Sequence, residues 1–530
     1  KMIRLVSVEQ MRMIEQQGDA AGVSYVEMME RAGQSFGQMV RKLCPAAQRR
    51  TALGLIGGGN NGGDALVALT EMAENGWNVN AYLLRPRGAD DSHLNRLIAS
   101  GGTAARSDQD ADFERLDDWL LGADVLIDGV LGTGARLPLK PDLAAILAHV
   151  RDFSPRPWVA AVDCPTGVDC DRGETTDVVI PADITVTMEA VKQGMLAFPA
   201  FNFLGSLFVV PLGLPDNLPV YAEIQNYVIS AADVIHALPA RPRQAHKGTF
   251  GTATVVGGSQ EYTGAVAFSA EAAYRIGTGL LRVATTAEAQ PIVAAQLPEA
   301  VWSILPGEHG AICAEAAQPL REILGRTTAV IFGPGMGSHL GTAEMVRRLF
   351  TADSDFRWPG VPLVVDADGL RHLARIPNWY TLIPALSVLM PHPGEMSAMT
   401  GLSIAEISLD RLAVARRFAK EWNQIVLLKG AFTVIAHPDG RSAVLAAATP
   451  ALAKAGTGDV LAGLIGGLLA QGVEPFSAAV SAAWLHARSG ERAARRMGQS
   501  ASVLARDVLA ALPEVLTQIT KGAISPAQVC

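Results

Sequence analysis

Residues 52–64 read Ala-Leu-Gly-Leu-Ile-Gly-Gly-Gly-Asn-Asn-Gly-Gly-Asp. A short apolar run at 52–56 meets a glycine-rich turn, and a helical pattern follows at 64–75. That strand–turn–helix order opens a βαβ unit of a parallel sheet. Gly57, Gly59 and Gly62 satisfy G-x-G-x-x-G. Glycines there let the backbone approach a ligand, and the helix N-terminus offers unpaired N–H groups to an anion. Further strand candidates lie at 79–84, 125–127, 158–162, 184–187 and 207–210, with a helical pattern at 143–151. Ahead of the turn, residues 8–43 carry one long helical pattern with Met11, Ile14, Met28, Met29 and Met39 among its apolar positions. Such Met-rich faces read as core or subunit packing.

Pro215, Pro219, Pro239 and Pro242 interrupt the chain, and Pro at this density breaks regular elements. The boundary is placed here, giving domains at 1–230 and 231–530. The alternation restarts with strand candidates at 252–256, 281–285, 329–332, 363–365, 388–390, 425–428, 433–436 and 443–446. Helical stretches at 458–471, 475–495 and 502–518 follow. Strands alternating with helices predict an α/β class with two three-layer α/β/α domains, the first Rossmann-like. In such sheets ligands bind at the carboxyl ends of the strands.

Composition narrows the function. The 530 residues are 49% hydrophobic and 18% charged, which excludes a disordered chain. With 44 basic against 52 acidic residues and no Lys/Arg run of five, a nucleic-acid partner is not expected. The apolar stretch at 460–470 is far short of the ~20 residues of a membrane span, so no membrane partner is expected. The N-terminal residues hold no apolar core of a signal peptide. The five Cys, at 44, 164, 170, 313 and 530, form no C-x-x-C, so neither a zinc site nor a disulfide framework is expected. A cytoplasmic location follows. Gly33-Gln34-Ser35-Phe36-Gly37 matches G-x-S-x-G but lies within a helical pattern, so it is not a nucleophile elbow.

An NAD-binding Rossmann unit wants an acid at the end of its second strand for the ribose. Here that strand ends Leu84-Arg85-Pro86-Arg87, so hydride transfer is the poorer fit. Asn60, Asn61 and Asp64 are unusual for a pure phosphate loop. Their oxygens suit a hard cation or a polyhydroxylated ligand, although Asp64 at a helix start is also an ordinary cap. Asp128-Gly129-Val130-Leu131-Gly132-Thr133-Gly134 and Asp163-Cys164-Pro165-Thr166-Gly167-Val168-Asp169 each follow a strand candidate, so three loops converge on one crevice.

This constellation resembles the NAD(P)H-hydrate epimerase family of the YjeF N-terminal type. The resemblance implies that Asn60, Asn61, Gly62, Gly63 and Asp64 bind the hydrated dinucleotide. It implies the same of Gly132, Thr133, Gly134, Ala135, Arg136, Leu137, Pro138 and Asp163. It further implies potassium (K+) ligands at Asn61, Asp128 and Thr166. Ala65 and Thr166 depart from the family's usual Gly and Ser; Thr keeps the hydroxyl. Hydration puts a hydroxyl on the carbon beside the ring nitrogen. That carbon can lose hydroxide to an iminium and regain water on the other face. One carboxylate that gives and takes a proton suffices, and Asp163 is the candidate.

In the second half, Ala455-Gly456-Thr457-Gly458-Asp459 precedes an apolar helix. Such a turn aims N–H groups at an anion. Upstream strand ends carry Gly333-Pro334-Gly335-Met336-Gly337, Asp366-Ala367-Asp368-Gly369, His392-Pro393-Gly394-Glu395 and Lys429-Gly430-Ala431-Phe432-Thr433. This order resembles the ribokinase-like superfamily. With Val255-Val256-Gly257-Gly258-Ser259 and Tyr262-Thr263-Gly264-Ala265, it resembles more narrowly its ADP/ATP-dependent NAD(P)H-hydrate dehydratases. The resemblance implies a ribokinase-like second domain with hydrate contacts at Ala265, Gly337, His392 and Asp459. It implies nucleotide contacts at Lys429, Gly430, Ala431, Phe432, Thr433 and Gly458. Arg371 and Ala455 depart from the usual Asn and Gly. No Gly-Lys-Ser/Thr occurs, so this is not a P-loop enzyme.

Asp459 is the candidate base that lets the hydrate hydroxyl attack a terminal phosphoryl, with Mg2+ and the glycine turn stabilising charge. Phosphate then leaves and the nicotinamide is restored. The expected partners are hydrated NADH or NADPH and ADP or ATP, in a homo-oligomer. The rival reading is a ribokinase-like small-molecule kinase fused to a non-catalytic nucleotide-binding domain.

Overall fold

Parallel strands buried on both faces need continuous apolar runs, and the central runs of both halves meet that need. The computed structural model describes residues 2–45, 50–88, 90–351, 358, 360–522 and 528–529. The chain divides into two compact units, with the break between Val228 and Ile229. Gln528 and Val529 belong to the first unit, where Gln528 bridges Phe208 and the Val529 N–H donates to the Leu207 carbonyl.

The first unit holds seven parallel strands. In spatial order they are Thr103–Arg106, Asn78–Leu83, Thr51–Ile56, Val125–Gly129, Trp158–Val162, Ile184–Met188 and Ser206–Val210. Chain direction across the sheet reverses beside Thr51–Ile56, and that switch point opens a crevice at the strand ends. Thr103–Arg106 lacks an apolar run because it is a largely exposed edge. Helix Asn60–Glu74 packs between the sheet and helix Tyr25–Leu43.

The expected single helix over 8–43 is two helices, Val8–Ala20 and Tyr25–Leu43. Gly22, at φ +98°, ends the first, and Ser24 with Glu27 forms a capping box on the second. Such a cap contributes roughly 1 kcal/mol. Apolar periodicity continues across the break because both helices face one core.

The second unit has seven parallel strands, in spatial order Val301–Ile304, Leu280–Thr285, Thr252–Val256, Ala329–Phe332, Leu363–Val365, Val388–Leu389 and Ile425–Leu428. Val434–Ala436 and Ser442–Val444 then add antiparallel strands at one side. Helix Thr457–Ala470 is buried nearly all round, as its apolar sequence requires. Both units are therefore α/β with helices against a mainly parallel sheet. No described helix is long and apolar enough to cross a membrane.

Candidate active sites

In the first unit a cavity of about 390 Å³ opens at the strand ends. Its lining includes Arg12, Glu15, Asn60, Asn61, Asp64, Gly132, Thr133, Gly134, Asp163 and Lys192. Asp163 follows strand Trp158–Val162 in the left-handed region, at φ +64°. Its Oδ1 accepts from Lys192 Nζ at 2.6 Å, Thr187 Oγ1 at 2.9 Å and the Met188 N–H at 3.4 Å. Burial alone would raise this carboxyl, but the Lys192 ammonium and these hydrogen bonds outweigh it and hold it below its ordinary value. Its Oδ2 is turned toward Gly132, where an added Cβ would stand 3.2 Å away.

Asp128 is the next-to-last residue of strand Val125–Gly129 and is fully buried. It accepts from Thr166 Oγ1 at 2.6 Å, the Thr166 N–H at 2.8 Å and the Val130 N–H at 3.4 Å. No Lys or Arg pairs with it among the described residues, and burial raises its carboxyl against those bonds. Thr166 Oγ1 also accepts from the Leu131 N–H at 3.0 Å. Asn61 Oδ1 lies near the next residue, 2.9 Å from where a Gly132 Cβ would be. The Asn61 Nδ2 is buried without a hydrogen-bond partner. Residues 130–132 thus collect all three predicted cation ligands at one loop.

The second unit gathers charge at its own strand ends. Lys429 Nζ lies 2.5 Å from Asp366 Oδ1 and 3.6 Å from Glu395 Oε2. A Cβ on Gly458 would be 3.7 Å from both Lys429 Nζ and Asp366 Oδ2. Burial would lower Lys429, but Asp366 and Glu395 raise it above its ordinary value. Asp459 sits in the first turn of helix Thr457–Ala470. Burial, then the charge of Asp366, pushes its carboxyl up to about 7, against the pull of Lys429. Gly456 caps this helix at φ +90°, a conformation that strongly favours glycine.

Residues 253–514 match the family model described as NAD(P)H-hydrate dehydratase, and residues 26–194 match that of the YjeF-related protein N-terminus. The chain is 36% identical over 504 residues to the bifunctional NAD(P)H-hydrate repair enzyme of Moorella thermoacetica, covering 94% of this chain and 92% of that protein. The chain belongs to the bifunctional NAD(P)H-hydrate repair enzymes. The Escherichia coli repair enzyme is 32% identical over 506 residues, covering 94% of this chain and 91% of its own. A solved ADP/ATP-dependent NAD(P)H-hydrate dehydratase of Bacillus subtilis, co-crystallised with ATP/Mg2+, is 30% identical, with a TM-score of 0.47 over 55% of this chain and 97% of that one.

In this repair enzyme the predicted residues separate by position. Asn60, Asn61, Asp64, Gly132, Thr133, Gly134 and Asp163 line the first cavity. Gly62, Gly63, Ala135, Arg136, Leu137 and Pro138 are not on its wall. Gly62 and Gly63 are demanded by packing instead. A Cβ on Gly62 would stand 2.1 Å from the Gly57 carbonyl oxygen, and one on Gly63 2.6 Å from the Met29 sulfur. Residues 60–64 are the first turn of helix Asn60–Glu74, capped by Gly59, so Asp64 does not cap it.

In the second unit Ala265 packs toward Gly335. The Gly337 N–H donates to Asp368 Oδ2 at 2.9 Å, and its carbonyl accepts from His372 Nε2 at 2.8 Å. His392 caps helix Pro393–Thr400, its Nδ1 accepting from the Gly394 and Glu395 N–H groups, while half its side chain stays exposed. Lys429, Gly430, Ala431, Phe432 and Thr433 form the turn between strands Ile425–Leu428 and Val434–Ala436. Thr433 Oγ1 closes it by donating to the Gly430 carbonyl at 2.9 Å.

Sequence reading missed Lys192, Thr187 and Glu15 in the first unit, and left Asp366 and Glu395 without a role in the second. Lys192 ends a two-residue strand, Val191–Lys192, too short to register as an apolar run. Asp366 and Glu395 were visible as acids at strand ends, the signal that had pointed to Asp163.

Proposed function

We propose that the first unit epimerises the two forms of hydrated NADH and NADPH through Asp163. The second unit dehydrates the S form, with ADP converted to AMP, or ATP to ADP, and phosphate released. As a member of the repair-enzyme family the chain is an enzyme with both activities; the residue roles are our reading. Asp163 lines the cavity with its Oδ1 held by Lys192, so its ionised carboxylate can accept the proton of the returning water.

Asp128 is a buried carboxylate without a cationic partner among the described residues, beside the Thr166 hydroxyl. Those oxygens, with the Asn61 side-chain carbonyl, suit a potassium ion, which would neutralise that charge when bound. Gly132–Gly134, pinned to Asp128 and Thr166 through Leu131 and Val130, would then present a rigid wall to the dinucleotide.

In the second unit the single observation that carries the reading is Asp459. It is a half-buried carboxyl poised near neutrality at the mouth of a glycine turn, with Lys429 alongside. Asp459 takes the hydroxyl proton as that oxygen bonds the terminal phosphorus and the bond to the nucleoside mono- or diphosphate breaks. Electrons from the ring nitrogen then expel phosphate, and loss of a ring proton restores the dihydronicotinamide. Lys429 and the backbone N–H groups after Gly456 would stabilise the developing phosphoryl charge. Among the described residues no three His, Cys, Asp or Glu side chains form a preformed metal cage. Mg2+ bound with the nucleotide would supply charge neutralisation to its phosphates.

The test follows both epimers, phosphate and reduced-nicotinamide absorbance in full-length protein, with and without ADP or ATP. Asp163→Asn is expected to lose epimer exchange but keep dehydration of the S form, and Asp459→Asn the reverse. A stable phosphorylated product in place of phosphate would favour the kinase reading. Full exchange by Asp163→Asn would end the epimerase assignment. We also propose a homo-oligomer in the cytoplasm; the exposed Tyr25 and Val26 at the start of helix Tyr25–Leu43 support an assembly face, which sedimentation tests.

A further inference from the structure

Three carboxyl groups, Glu15, Asp64 and Asp163, line the first cavity from different elements, and the surroundings of Asp64 and Asp163 are opposite. Asp163 has one oxygen saturated by Lys192, Thr187 and Met188. The Asp64 side chain, at the fifth position of helix Asn60–Glu74, has no hydrogen bond or ion pair among the described residues. It stands on the wall shared by this cavity and a smaller neighbour of about 200 Å³, lined by Met28, Met29, His93 and Leu212. The charged or titratable groups lining these two spaces are Arg12, Glu15, Tyr25, His93, Asp64, Asp163 and Lys192.

We propose that Asp64 is the second catalytic residue of epimerisation, donating the proton that lets hydroxide depart as water, while Asp163 accepts the proton of the water that returns. Lys192 is a positioning residue that keeps Asp163 ionised. This rests on the reading of Asp163 given above. The environments support the division. Burial, then the charges of Asp163 and Glu15, raises Asp64 well above its ordinary value, so it stays protonated where Asp163 is ionised. Two titratable groups pushed apart in this way mark an acid and a base.

The step balances. The Asp64 proton passes to the departing oxygen, the C–O pair leaves with it as water, and the ring-nitrogen lone pair closes a C=N bond. A second water bonds that carbon from the other face, the C=N pair returns to nitrogen, and its proton goes to Asp163 Oδ2. One proton has left Asp64 and one has reached Asp163. The enzyme is then set for the reverse direction, and exchange with solvent resets it. No oxidant, reductant or nucleotide is consumed, as an epimerisation requires.

The test uses the full chain without nucleotide, starting from one purified epimer, with spontaneous exchange subtracted. Asp64→Asn should lower kcat by about 100-fold or more with KM changed by less than about threefold, and should abolish the alkaline limb of the pH profile. Asp64→Glu should restore part of kcat. Lys192→Met should move the acid limb to higher pH, because Asp163 loses the charge that lowers it, and Lys192→Arg should keep it low. Dehydration of the S form by the same preparations should be unchanged, and a cooperative melt checks folding. Wild-type kcat in Asp64→Asn at every pH, or a change confined to KM, would overturn the proposal. If Asp163→Asn is inactive while Asp64→Asn is intact, only this inference fails. If Asp163→Asn is fully active, the epimerase reading itself fails.

Discussion

Replacing Asp459 with Asn should abolish dehydration and, at alkaline pH, make the protein more stable. The wild-type carboxyl titrates at about 7 in the fold against 3.8 for an ordinary aspartate, chiefly through burial. A raised carboxyl keeps its proton in the native state after the unfolded chain has lost its own. Native stability is therefore greatest below the unfolded value and falls as pH rises, until Asp459 itself ionises near 7. The whole fall is about 4 kcal/mol, of which roughly 3 kcal/mol accrues between about pH 5 and pH 8.

Asparagine carries no charge at either pH and removes the fall. The melting temperature of Asp459→Asn should therefore exceed wild type by a margin that widens by roughly 5–10 °C from about pH 5 to pH 8. Calorimetry of both proteins across pH, at fixed ionic strength, reads this directly. The same titration governs wild-type activity. Ionised Asp459 rises from about one molecule in eleven at pH 6 to about ten in eleven at pH 8, so dehydratase kcat/KM should climb about tenfold. A margin that stays constant with pH, or kcat/KM flat over this range, would refute the reading of Asp459 as a desolvated, near-neutral base.

Lys429→Met should shift the rising limb of dehydratase activity to higher pH, since Lys429 lowers Asp459, and should leave Asp366 buried and unpaired; pH-rate profiles and melting check both. Thr166→Val should lower epimer exchange and remove its dependence on potassium against a large organic cation, without altering dehydration, as read by parallel assays with the cation exchanged. Gly456→Ala should cost about 1–3 kcal/mol and most dehydratase activity, because φ is +90° and the new Cβ would lie 2.9 Å from the Phe268 ring; melting and phosphate release measure it.

Much of both sheets was legible because parallel strands buried on two faces must be apolar along their length, as in Leu53–Ile56 or Ile425–Leu428. The strand-end rule then pointed to Asp128, Asp163 and Lys429, and the glycine turn ahead of an apolar helix pointed to Asp459. Thr103–Arg106 and Val301–Ile304 escaped notice because edge strands face solvent and carry no such run. Linear order also could not separate glycines that touch a ligand from those that let chains approach: Gly132 lines the cavity, whereas Gly62 and Gly63 make room for the Gly57 carbonyl and Met29.

Residue type and spacing settled the α/β class and which carboxylates stand at strand ends, because those depend on local patterns of apolar and polar residues. The charge state of each carboxylate did not follow from such patterns. It depended on partners distant in the chain meeting in a dry interior: Lys192 paired with Asp163, Lys429 paired with Asp366, and no ion pair to Asp64 or Asp128 among the described residues. Coulomb energy falls with distance and grows as water is excluded, so the proposal of one aspartate as base and its neighbour as acid rests on the folded arrangement and not on the linear order.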